Sequence, residues 1–109
     1  DIPLSERQLK RIAKRASVGL IRTGSYLGNG SGDIVLAFST GNKIKHYSEP
    51  IITIDTISDG EISNIFRAVA EATEEAILNV LVTADTTVGK DGHKRVSLRD
   101  YMYLIQDKQ

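Results

Sequence analysis

The run Gly28-Asn29-Gly30-Ser31-Gly32-Asp33 is the place in this sequence where residue types and spacing most invite chemistry. A hydroxyl and a carboxylate flank a single glycine at the head of an apolar run, 34–38. A carboxylate so placed can orient the hydroxyl, and the hydroxyl can position or activate a nucleophile brought from nearby. The glycines let backbone approach another group closely and adopt φ > 0. Two other readings stand beside this one, a plain turn and a phosphate cradle. The cradle has the wrong order: dinucleotide and phosphate loops follow a strand and open a helix, whereas here a helix pattern precedes the loop and a strand pattern follows it. The Lys-Ser/Thr pair of a phosphate loop is also absent.

Other candidates offer less. His46 sits in a polar connection and His93 in a turn, and neither has a second ligand at metal spacing, so no metal site and no cofactor is expected. Glu71, Glu74 and Glu75 follow the polar side of a helix pattern and read as a solvated face. With 14 basic and 14 acidic residues the formal charge is zero, which argues against nucleic acid or an anionic membrane as partner. The absence of cysteine excludes disulfides, thiolate metal sites and a Cys nucleophile within these residues, and makes the cytoplasm the default setting. No apolar stretch approaches the ~20 residues of a membrane span.

The elements that must position the loop are legible on both sides of it. Ser5 and Gln8 have the spacing of a capping box, with Leu4 and Leu9 as a hydrophobic staple. Leu9, Ile12, Ala13, Ala16 and Leu20 then recur at helical intervals, opposite a basic face of Arg7, Lys10, Arg11, Lys14 and Arg15. After the glycine loop, 34–38 reads as a strand buried on both faces, and 51–54 as a second, shorter strand. Ser58 and Glu61 suggest another capping box, Ile57 and Ile62 another staple. A second helix follows to about Ala84, with Ile62, Ile65, Phe66, Val69, Thr73, Ala76, Ile77 and Val80 on its apolar face. Asp91-Gly92 marks a turn, and Ser97 with Asp100 opens a last short helix to about Gln106. Residues 1–109 thus read as a single α/β domain with two long amphipathic helices and two or so strands. That is little sheet for so much helix, so the core is expected to be completed by strands from elsewhere. The start at Asp1, without Met or a signal pattern, reads as a processed or trimmed end.

Several runs together resemble the β-subunit of DmpA-type aminopeptidase/D-esterases: 8–16, 19–24, 28–33, 37–40 with Asn42, then 71–79 and 89–92. The likeness is weakest between Lys43 and Ile57, and the family commonly has Ala where Gly41 stands. The resemblance implies an N-terminal-nucleophile hydrolase of the αββα sandwich type also found in ornithine acetyltransferases. A precursor would cut itself ahead of a Ser or Thr, which then attacks aminoacyl amides, peptides or esters. On this resemblance Ser31 and Asp33 become the supporting serine and acid. The partners it implies are an α-subunit or upstream part of the same precursor and a homo-oligomer of αβ units. It also implies that the nucleophile lies ahead of Asp1 and that 1–109 alone is inactive. Ser5, committed to a helix cap, cannot replace it. Substrate-binding residues are not identified. The alternatives are a non-catalytic binding or assembly module of the same fold and, less well matched, acetyl transfer.

Overall fold

A computed structural model describes residues 1–30, 32–47 and 49–106, with the side chains of 105 and 106 left out. Helix α1 spans Glu6–Arg22, and its start obeys the expected capping box. The Gln8 amide N–H donates to Ser5 Oγ (3.3 Å), while the Ser5 N–H donates back to Gln8 Oε1 (3.1 Å). Helix α2 spans Ile62–Thr83, behind a 3-10 turn at Asp59–Glu61. Here the expected box is only half formed. Ser58 Oγ accepts from the Gly60 N–H, but Glu61 makes no side-chain cap bond, because the tighter 3-10 turn displaces it from the reciprocal position.

The two helices lie side by side and run in the same direction. Arg7 meets Asp59, Arg15 stacks 4.1 Å from the centre of the Phe66 ring, and Arg22 meets Glu74, in ascending order on both helices. Their backbones come close at Gly19. A Cβ there would lie 2.5 Å from the Ala70 carbonyl and 2.7 Å from Thr73 Cβ, so only glycine lets the backbones come this near. Ile12, Ile62 and Ala70 form the small buried core of this seam. The arginines of the basic face are therefore partly structural, and Glu74, expected on a solvated face, is half-buried. Ala76 and Val80, expected on the covered stripe, are exposed.

Strands occur among the described residues only at Thr87–Val88 (β1) and Lys94–Arg95 (β2), an antiparallel pair. Their turn uses the predicted Asp91-Gly92 signal, with φ of 58° and 77° at the two residues, as a hairpin turn with two left-handed positions requires. Ser97 caps a 3-10 turn at Leu98–Tyr101, and α3 follows over Tyr103–Gln106, as expected.

The two predicted strands are not paired. Residues 51–54 are exposed and belong to no ladder. Residues 34–38 join no ladder either, and burial on both faces is overturned: Ile34, Leu36 and Phe38 are 96%, 85% and 77% exposed. The exposure nevertheless alternates, because Val35 is only 46% exposed and Ala37 and Ser39 are half-buried. This period of two is that of a strand. Ile34 and Val35 both border the groove beside α1 and α2, but Ile34 remains almost fully exposed, and Leu36 and Phe38 are away from that groove. The expected strand is therefore not formed among the described residues; what remains of it is the alternation in exposure.

Candidate functional site

The glycine-rich loop leaves α1 through Thr23, whose N–H and hydroxyl both bond the Leu20 carbonyl, at 3.2 and 2.7 Å. Gly24 takes φ 99° and Leu27 φ 53°. The left-handed conformations expected of the loop thus fall just before it, while neither Gly28 nor Gly30 is left-handed. A Cβ at Gly28 would meet the Tyr26 ring at 2.9 Å, whereas at Gly30 and Gly32 it would meet nothing within 4 Å. These last two glycines are not required by packing within this chain, and they leave the backbone of the loop open to close approach from outside.

Ser31 lies outside the described residues. Asp33 is exposed and stands with Gly32, Ile34 and Val35 on one wall of a groove of about 730 Å³. The opposite walls come from α1 (Ala13, Ala16 and Leu20, with Lys14 and Ser17) and from α2 (Thr73 and Ile77). The groove therefore offers an apolar floor with an acid at its rim. The two helices that position it are those carrying the capping box and the Gly19 crossing.

The other residues considered from sequence are not at this groove. His46 packs edge-on against Tyr47, 4.7 Å between ring centres, and His93 ends the hairpin turn. Glu71 pairs with Arg67 and Glu74 with Arg22; the Arg67 hydrogen bond and charge hold the Glu71 carboxyl below its ordinary range. Among the described residues no cluster of three His, Cys, Asp or Glu could hold a metal ion. No helix among them is long and apolar enough to cross a membrane.

A feature that pattern reading missed is the cluster at the joined ends of α1 and α2. Gln8 is 2% exposed and its amide is saturated. Its Nε2 donates to the Ile57 carbonyl and Asp59 Oδ1 (both 2.9 Å), and its Oε1 accepts from Ser5 N–H and from Thr56 Oγ1 (2.7 Å). Asp59 also takes two bonds of 2.8 Å from Arg7 and one of 3.1 Å from Arg11. The Gln8 bond first, then that of Arg7, holds the Asp59 carboxyl below its usual range. The signal available in the sequence was a polar residue inside an apolar stripe, which a capping-box reading accounts for too easily.

Residues 1–95 match the model of peptidase family S58. The chain belongs to this family. It is 47% identical over 94 residues to a β-peptidyl aminopeptidase, BapA, of Sphingosinicella microcystinivorans, covering 85% of this chain and 24% of that one. Among solved structures, a Pyrococcus horikoshii OT3 protein shares 54% identity with a TM-score of 0.86, covering 96% of this chain and 30% of its own. The L-aminopeptidase D-Ala-esterase/amidase of Ochrobactrum anthropi, described as a prototype for the serine aminopeptidases and a variant of the Ntn-hydrolase fold, shares 34% identity. Its TM-score is 0.78, over 97% of this chain and 32% of its own. Membership of the DmpA-type family and the α/β class are therefore as the sequence resemblance implied. The chain spans about a quarter of the length of the curated S58 relatives it matches.

Proposed function

We propose that this chain is part of a serine-type aminopeptidase of the S58 family that hydrolyses N-terminal aminoacyl amides, peptides or esters in the cytoplasm. A Ser or Thr from the upstream part of the same precursor, freed by self-cleavage, is the nucleophile, and its α-amino group serves as general base. The hydroxyl attacks the substrate carbonyl, the amine or alcohol leaves, and water hydrolyses the acyl-enzyme. Ser31 and Asp33 are the supporting pair: the carboxylate orients the Ser31 hydroxyl, which positions the nucleophile. The catalytic unit is an assembly of αβ units, and residues 1–109 alone are inactive. The observation that carries this reading is the S58 match across the glycine loop, with 47% identity to a β-peptidyl aminopeptidase. The acid at the rim of the apolar groove, beside two glycines with open space around them, supports it.

The test is hydrolysis of aminoacyl p-nitroanilides by the full-length protein and its Ser31→Ala and Asp33→Asn variants. Turnover is expected to fall by about 10²–10⁴-fold in each, the range for loss of a positioned proton-handling group, with the folded state retained. Unchanged turnover in Ser31→Ala would remove the assigned role. Absence of hydrolysis by the parent on any aminoacyl substrate would remove the enzymatic reading itself.

A further inference from the structure

The chain's first residues are held against the far end of the 33–39 segment. Ser39 Oγ donates to the Ile2 carbonyl and accepts from the Gly41 N–H (3.0 Å). Gly41 packs directly on the entering backbone: a Cβ there would fall 2.5 Å from Pro3 N and 2.7 Å from both the Asp1 carbonyl oxygen and Pro3 Cα. These are backbone atoms, so no side-chain adjustment relieves the overlap. On the other side the Ile57 N–H donates to the Pro3 carbonyl at 3.2 Å. Asn42 fixes the strip behind Gly41 by two bonds of 2.9 Å to the backbone of Asp55. The 33–39 segment thus carries the candidate acid at its head and grips the chain entry at its tail.

From this geometry we infer that Ser39 and Gly41 form a register clasp for the polypeptide leading into Asp1, fixing which of its residues comes abreast of Asp33. The inference rests on the proposed function only in naming what that segment delivers. The direction of the segment follows from connectivity. The chain passes Ser39 at Ile2, crosses through α1 and returns along 33–39, the kind of connection that parallel extended segments require. Ile2, preceding Pro3, is biased to extended backbone and so continues the line of that segment. Ile2 lies level with residues 39–41, so about five to seven residues before Asp1 the chain draws level with Asp33. The segment 34–38, which joins no ladder among the described residues, lies along that path. Ser39 and Gly41 are positioning residues: they touch no reacting atom, and they set the distance at which the delivered residue meets the acid.

Register can be read independently of activity in the full-length protein, with any cysteines outside 1–109 replaced by Ser. Leu36→Cys is combined with single cysteines scanned through the residues preceding Asp1, and disulfide formation on mild oxidation is scored. Bridging needs Cα atoms within about 7 Å, so the yield should peak at roughly the second to fourth residue before Asp1. Gly41→Ala should shift or broaden that peak. Ser39→Ala, which adds no atoms and serves if Gly41→Ala fails to fold, should broaden it, and Ser39→Thr should restore it. The kcat for an aminoacyl p-nitroanilide should fall about 10–100-fold in the first two variants, KM changing less than about twofold, as for misplacement of a reacting group. A peak elsewhere, or one indifferent to both substitutions, overturns the clasp whatever the activity. The expected peak in a protein without aminoacyl hydrolysis would uphold the clasp and sink the proposed function alone.

Discussion

Gln8 shows how one buried polar side chain can organise the start of a helix. Every hydrogen-bonding position of its amide is used, and its partners come from the α1 cap and from residues 56–59. Gln8→Leu would leave the Thr56 hydroxyl and the Ile57 carbonyl without this partner, and should cost about 1–3 kcal/mol, measured by denaturant unfolding of the full-length protein. Asp59 adds a pH-dependent part. Its carboxyl is held below the ordinary range in the folded state, so the interaction is fully present above the unfolded value of about 4 and is lost as pH falls through the depressed folded value. Asp59→Asn should therefore lower the thermal midpoint at pH 7, and the gap from the parent should narrow at pH 3. An equal gap at both values would mean that the charge is not its source. Neither role was legible in residue types alone. The capping box was, because its geometry depends on three neighbouring residues and no distant partner, whereas the Gln8 to Asp59 contact joins residues 51 positions apart.

At the scale of elements, α1 and α2 are set by a crossing rather than by their apolar stripes. The stripe predicted for α1 includes Ile12, which is buried, but the backbones also come close at Gly19, which lies off that stripe. Gly19→Ala would raise helix propensity yet place a methyl against the Ala70 carbonyl and Thr73. The overlap should dominate, destabilising by about 1–3 kcal/mol; an increase in stability would show that the helices can part without loss. The same distinction between local and distant determinants explains the strands. The hairpin turn at Asp91-Gly92 was readable because its left-handed conformations are a local demand. The segment 34–38 has the composition of a strand, but a strand needs a pairing partner, and among the described residues it has none. The loop ahead of it gave a candidate acid, and the structure sets that acid at a groove between both helices, a relation that no spacing in the sequence encodes.

The whole molecule carries more surface than a self-contained domain of its mass. A folded monomer of 11.9 kDa exposes about 6,000 Å², whereas this chain exposes 9144 Å². Its radius of gyration is 19.5 Å, against about 13 Å for a compact domain of this length. The excess of some 3,000 Å² is about four times one partner's share of a standard interface. Part of that surface is the even face of 34–38, with Ile34, Leu36 and Phe38 exposed at intervals of two. If a second layer covers that face in the full-length protein, Leu36→Lys buries an unpaired charge and should prevent folding or cost several kcal/mol. On a face left in water the same change should stay within about ±0.5 kcal/mol. Leu36→Met, similar in volume and apolar, should be tolerated in either case and controls for packing alone. Comparing the unfolding midpoints of the two variants therefore decides whether this face is interior, and a Lys variant as stable as the Met variant would mean that nothing packs there.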